Sequence, residues 1–326
     1  MVVALDGMIP DDVFPITIPG MWNQNLGFLD LGNGTWVVLG KPSPKITGSI
    51  IVEVLTTPDF EPIADPREIE TGLELVHDPR PFFYPDGRVG IMLACQSSKQ
   101  LRAHHSAKPG SHERWQRTWG QAHSPFGPGV MTSIKNWTIW PGDLQTLGHK
   151  NFIPYANTTI SHPGRGELWG WGDDKPSQFS PALPLELRGG SLPLDIPGTP
   201  YALCSYHAVH VGPSGRKVYT AWLGLITKAW PHGVQAYWKV NTTYLLDLQP
   251  EVLNGSLRFV ESVVFPMALR RRHDNYEILM GVQDGACYGV VIAAARIDAV
   301  IKERVGHRAG IVSRGETMPA STSGHE

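Results

Sequence analysis

Five polar segments carry the side chains that could do chemistry, and they follow one another along the chain. Asn25 opens and Lys41 closes the run NLGFLDLGNGTWVVLGK. His77-Asp78-Pro79-Arg80 precedes PFFYPDGRVGIMLACQ, and His149-Lys150-Asn151-Phe152 precedes IPY. Arg188-Gly189-Gly190-Ser191 leads into a strand-like run that contains His207, and Phe265-Pro266 and Asp284 mark the last segment. Asp78 and Asp284 are carboxyls suited to acid–base work or to accepting hydroxyl hydrogen bonds. Lys150 is a compact cation suited to an anion. Each residue also has a purely structural reading. Asp78 before Pro79 fits an Asx-Pro turn, Lys150-Asn151 a polar hairpin pair, and Asp284 before Gly285 a turn. His207 fits a core or channel histidine, and Gly189-Gly190 a bulge or a close strand approach.

The elements that must position these groups are strands. Turn residues bound apolar runs at 35–41, 48–57, 88–96, 200–211, 217–226, 240–248, 276–283 and 288–297. Helical periodicity is confined to 297–305, and 306–326 is polar and reads as a disordered tail after one domain over 1–305. The counts of Gly (35), Pro (28) and Trp (11) are high, which predicts an all-β chain. The strands group into units at about 20–73, 74–130, 131–187, 188–250 and 251–300. Units of roughly 50–60 residues match propeller blades, so a five-bladed β-propeller is expected. A two-sheet sandwich could use as many strands. The propeller is preferred because the polar motifs fall near unit starts, where innermost strands line a common channel. Trp137, Trp140, Trp169 and Trp171 cluster in the middle units; one or two are expected to face substrate and the others to pack between blades.

The net charge of −2 gives neither a nucleic-acid footprint nor a polybasic membrane patch, and no apolar run of spanning length occurs. The basic run Arg270-Arg271-Arg272-His273 reads as a solvated hairpin tip. The stretch 97–125 holds four histidines without alternation and reads as a long inserted loop; the spacing of His104, His105 and His112 is poor for a metal. Cys95, Cys204 and Cys287 sit in apolar strand contexts and read as buried free thiols. No metal or organic cofactor is expected. The N-terminal stretch lacks the features of a signal peptide, which favours the cytoplasm. Five sequons (Asn33, Asn136, Asn157, Asn241, Asn254) among nine asparagines favour the secretory pathway, so the compartment stays open.

Taken in order, the five motifs resemble glycoside hydrolase family 130, the β-mannoside phosphorylases and hydrolases, over residues 22 to about 300. The related glycosyltransferase family 108 mannosyltransferase/phosphorylases share much of the pattern. The resemblance implies Asp78 as the general acid, which in the phosphorylases reaches the glycosidic oxygen through a sugar hydroxyl. It implies Lys150, with Asn151 beside it, as the phosphate-binding segment, and Asp284 as a sugar-binding carboxylate. His207 becomes an anion or sugar contact, Arg80 an orienting group for Asp78, and Asn25 and Arg188 pocket-lining groups. The expected partners are an oligosaccharide or glycoside and inorganic phosphate, with no nucleic acid and no membrane.

Three positions depart from the family. His77 stands where Glu is usual, Lys41 replaces an Arg, and Gln96-Ser97-Ser98-Lys99 occupies the place of an Arg-Asn pair. Lys99 and Arg102 are the candidates to replace that pair. Hydrolysis would need a base for water, for which Asp284 and Glu74 are candidates. The expected function is inverting cleavage or formation of a β-mannosidic bond, with phosphate or water as nucleophile. The alternatives are a glycosyltransferase with a nucleotide-sugar or sugar-phosphate donor, and a non-catalytic sugar-binding propeller.

Overall fold

A computed structural model describes residues 3–42, 49–71, 76–83, 89–95, 101–105, 138–139, 152–153, 186–228, 234–248 and 260–302. The chain is all-β. Two strands lead in, β1 (Val3–Met8) and β2 (Asp12–Ile16). An antiparallel sheet follows in sequence order: β3 (Trp22–Asp30), β4 (Trp36–Lys41), β5 (Ile50–Thr56) and β6 (Arg67–Glu70). Next come β7 (Val76–Phe83), β8 (Val89–Cys95) and β9 (Leu101–His105), also antiparallel, and the short pair β10 (Thr138–Ile139) and β11 (Phe152–Ile153). The fourth group is β12 (Glu186–Gly189), β13 (Leu194–Asp195), β14 (Tyr201–Val211), β15 (Lys217–Thr227) and β16 (Val234–Val240). After helix α1 (Thr243–Leu248) and β17 (Val260–Ser262), the last sheet holds β18 (Val264–Arg272), β19 (Asn275–Val282) and β20 (Ala286–Ala293).

The two lead-in strands complete later sheets. β1 pairs in parallel with β16, and β2 pairs antiparallel with β20. β2 lies at the edge of its sheet, where Pro15 costs no ladder bond to a further strand. Neither strand is among the runs read from the sequence, whose first unit begins at about residue 20.

Apolar layers join consecutive sheets, and strand β4 shows how. Trp36 and Val38 pack with Leu26, Phe28, Phe265, Met267 and Leu279, while Val37 and Leu39 pack with Ile51, Val76, Ile91 and Leu93. Side chains alternate between faces along a strand, so a strand buried on both faces reads as one apolar run. A third layer joins β15 and β16 to the last sheet through Leu223, Leu225, Trp238, Ile278 and Val290. Fully burying each such side chain stabilises the fold by roughly 1.5–3 kcal/mol.

Several expectations are corrected. Residues 240–248 were expected as strand, but Thr243–Leu248 is helix. Asn241 Oδ1 accepts the Thr243 N–H at 3.2 Å and Thr242 O accepts the Leu245 N–H at 3.0 Å, so the local asparagine cap prevails over a short apolar run. The run expected as strand to residue 297 turns helical at 294, and that helix is described to 302. Within 97–125, residues Leu101–His105 form strand β9 on β8 rather than loop.

The basic run is solvated at the hairpin turn, where Arg271 and His273 are exposed, but not at its first residue. Arg270 is 5% exposed. Its Nε donates to Glu277 Oε2 at 2.6 Å, and its guanidinium lies 5.0 Å from the Trp36 ring and 4.7 Å from the Phe60 ring. Cys204 and Cys287 are buried free thiols, and the Cys95 side chain lies outside the described residues.

Candidate functional site

Two ladder irregularities build the site. β3 and β4 lose register between Trp22 and Gly27, and β7 and β8 between His77 and Arg80. Asn25 lies in the first with φ 48°, and Asp78 in the second with φ 51°. Such a conformation costs an ordinary residue roughly 1–2 kcal/mol, and Asn and Asp tolerate it best. A bulge also breaks the two-residue alternation. Sequence neighbours can then serve one site, as Gln24 with Asn25 and His77 with Asp78 do here.

Asn25 Nδ2 donates to Asp78 Oδ1 at 3.0 Å, and His77 Nδ1 lies 3.0 Å from Asp78 Oδ2. Two glycines permit the approach. A Cβ at Gly27 would stand 2.5 Å from the Pro79 carbonyl oxygen, and one at Gly281 would stand 2.9 Å from Asn25 Oδ1. The side chains of His77 and Asp78 are 19% and 15% exposed, so the pair is held in place yet open to solvent.

Asp284 comes from the β19–β20 turn. Gln283 and Asp284 both have φ 53°, and Gly285 N donates to Val282 O at 3.1 Å. Gln283 clamps this turn: its N–H donates to Val263 O at 2.8 Å, and its Oε1 accepts the Val263 N–H at 2.8 Å. Burial pushes the Asp284 carboxyl above the ordinary carboxylate range. A hydrogen bond with Gln24 opposes this, the Asp78 charge adds to it, and the Lys41 charge opposes it. Asp284 is therefore both a turn residue and a neighbour of Gln24, Lys41 and Asp78.

Arg80 and His207 meet at Phe265. The Arg80 guanidinium lies 5.0 Å from the Phe265 ring centroid, and the His207 ring lies 4.4 Å from it. His207 also stacks on Tyr219 at 5.9 Å. Both are buried, His207 fully. Arg188 stands opposite His207 in the β12–β14 register, and its side chain lies outside the described residues. Lys150 and Asn151, the tryptophans 137, 140, 169 and 171, and Glu74 also lie outside them.

Of the residues singled out from the sequence, the structure thus joins Asn25, Lys41, Asp78 and Asp284 in one neighbourhood. Arg80 and His207 pack together beside a ring. Gln24 was not anticipated, since strand alternation assigns it to the face opposite Asn25. His77 was noted only as a departure from a motif. The available signal for both was their position next to an Asn or Asp suited to positive φ. Chemically, two carboxyls from different sheets, amide groups and a lysine can grip hydroxyl groups and move a proton. Among the described residues no group of three His, Cys, Asp or Glu side chains could hold a metal ion.

No family model matches the sequence, and no curated protein matches it. Solved structures show the fold. A glycosyl hydrolase from Bacteroides ovatus aligns with TM-score 0.51 and 14% identity, over 88% of this chain and 90% of that one. A second structure comes from the GH130 family of mannoside phosphorylases, which contains glycoside hydrolases that target β-1,2 mannosidic linkages in Candida mannan. It aligns with TM-score 0.53 and 14% identity, over 87% of this chain and 92% of that one. The chain shares its fold with these proteins, in agreement with the resemblance carried by its motifs.

Proposed function

We propose that the chain is a five-bladed β-propeller enzyme that cleaves or forms a β-glycosidic bond, a β-mannosidic one by its likeness. Asp78 acts as general acid and phosphate or water as the nucleophile, attacking the opposite face of the anomeric carbon. The observation that carries this reading is the placement of Asp78. Both of its carboxyl oxygens are engaged, by Asn25 and by His77, at a residue held at φ 51° beside a second, desolvated carboxyl, Asp284. Backbone strain of this kind gathers at functional sites. The shared fold and the ordered motifs support the same reading.

In this assignment Asp284 and Lys41 hold sugar hydroxyls, with Asn25 lining the pocket. Lys150, Asn151 and Arg188 supply the remaining polar contacts, Lys150 facing the phosphate. Arg80 and His207 act through Phe265, fixing the strands that carry Asp78.

The test is product analysis on a panel of β-mannosides with and without inorganic phosphate. Sugar 1-phosphate formed only with phosphate identifies a phosphorylase, and free sugar in both reactions identifies a hydrolase. Asp78→Asn is expected to abolish turnover with the fold intact. An active Asp78→Asn protein would remove Asp78 from the acid role. Absence of product in every wild-type reaction would reject the glycosidase reading in favour of a nucleotide-sugar or sugar-phosphate transferase.

A further inference from the structure

Sequence neighbours on a regular strand point to opposite faces, yet the side chains of His77 and Asp78 meet at 3.0 Å. They can do so because Asp78 lies in the bulge at φ 51°. Asn25 Nδ2 is an amide donor and engages Oδ1 at 3.0 Å. A proton on the Asp78 carboxyl therefore belongs on Oδ2, the oxygen beside His77 Nδ1. As the Nδ1–H tautomer His77 donates to Oδ2, which leaves the acid proton on that oxygen directed at the substrate.

Resting on the glycosidase reading, we propose that His77 is the positioning residue of the general acid, orienting Asp78 Oδ2 and receiving the charge that proton delivery leaves behind. The Oδ2 proton passes to the leaving oxygen, directly or through a sugar hydroxyl. The anomeric C–O bond breaks with its electron pair on that oxygen. An oxygen of water or hydrogen phosphate bonds the anomeric carbon from the opposite face, the proton this nucleophile sheds goes to solvent, and solvent returns one to Asp78 Oδ2. At the moment of transfer the new carboxylate meets a donor at each oxygen, Asn25 Nδ2–H and His77 Nδ1–H. Both donors are in place beforehand, so little reorganisation is required.

The experiment compares His77→Ala and His77→Gln with the wild type on two substrates. One is β-mannobiose, whose leaving oxygen needs a proton; the other is dinitrophenyl β-mannoside, whose phenolate leaves without one. For His77→Ala, kcat on mannobiose is expected to fall about 100-fold, at the lower end of what a positioned acid contributes. KM and the rate on the dinitrophenyl substrate should stay within about threefold, an effect too small to reflect loss of acid assistance. His77→Gln, which keeps a donor, should recover part of the loss. Equal losses on both substrates, or no loss on either, would overturn the proposal. A wild type inactive on both would instead reject the glycosidase reading. The pairing has its own readout: a low-field His77 Nδ1–H proton resonance in the wild type that Asp78→Ala lacks. Identical spectra would overturn the pairing itself.

Discussion

Asn25 and Asp78 stand 53 residues apart in sequence and 3.0 Å apart in space, Nδ2 to Oδ1, each at positive φ in the irregular part of its own ladder. Together the two bulges turn an amide donor from one sheet onto a carboxyl of the next.

Replacing Asn25 separates its chemical role from its backbone role. Asn25→Gly keeps the φ of 48° without strain but removes the donor. A hydrogen bond to a charged group is worth roughly 1.5–3 kcal/mol, so kcat should fall about 10- to 100-fold while urea unfolding changes little. Asn25→Ala should show the same rate loss plus about 1 kcal/mol of destabilisation. Wild-type turnover by Asn25→Gly would disprove the contact's role.

Gly281→Ala tests the same contact from the other side. Its Cβ would lie 2.9 Å from Asn25 Oδ1 and 3.4 Å from the Asn25 nitrogen. Asn25 must then move, and a loss of about tenfold in kcat, or 1.4 kcal/mol, is expected. Initial-rate measurement decides it, and a variant as fast as the wild type would show that Asn25 has slack.

Asp284 should trade stability for function. Its folded-state pKa is raised, chiefly by burial. Its contribution to stability is therefore fully present below the unfolded carboxyl value, and is lost as pH rises through the raised folded value. At neutral pH the ionised group is a cost. Asp284→Asn removes that charge and suits φ 53°, so it should raise stability by on the order of 1 kcal/mol near pH 7. The gain should vanish toward about pH 3, where both side chains are neutral. Sugar binding should weaken, with KM rising about tenfold for a lost charged hydrogen bond. Thermal melts across pH settle the sign, and a destabilised Asp284→Asn at neutral pH would contradict the desolvation account.

Arg270 and Glu277 hold the hairpin of β18 and β19 in place. Burial pulls the Arg270 guanidinium below its usual value, and Glu277 opposes that shift. Removing one partner leaves a buried charge alone, so Glu277→Gln should cost about 3–5 kcal/mol. Activity per folded molecule should be unchanged, because the pair packs on Trp36 and Phe60 rather than on Asp78. Urea midpoints alongside rates on the folded fraction would test both halves of this expectation.

Much of the scaffold was legible in the sequence. Runs such as 35–41, 88–96 and 217–226 fall on Trp36–Lys41, Val89–Cys95 and Lys217–Thr227. Strand formation at these places depends on β-branched and apolar content with flanking turn residues, which is local information. The run 240–248 failed because three adjacent apolar residues, Tyr244 to Leu246, do not reveal a period, whereas the cap at Asn241 does. Within the basic run only Arg270 departs from the solvated tip, because the sequence does not show that Glu277, Trp36 and Phe60 converge on it.

By itself the sequence determined an all-β chain, the order of its strands, and the prominence of Asn25, Lys41, Asp78 and Asp284, since residue type and turn chemistry are properties of short segments. Only the tertiary structure decided which of these meet. Asn25 reaches Asp78 because Gly27 admits the Pro79 carbonyl and Gly281 admits Asn25. Gln24 reaches Asp284 because a bulge overrides strand alternation. Arg80 and His207, polar in sequence, both lie against the Phe265 ring. The physical reason is one of range. Alternation and turns are written over a few residues, whereas the partners and burial of a polar side chain depend on strands that sequence separates by 50 residues or more and that sheet packing brings together.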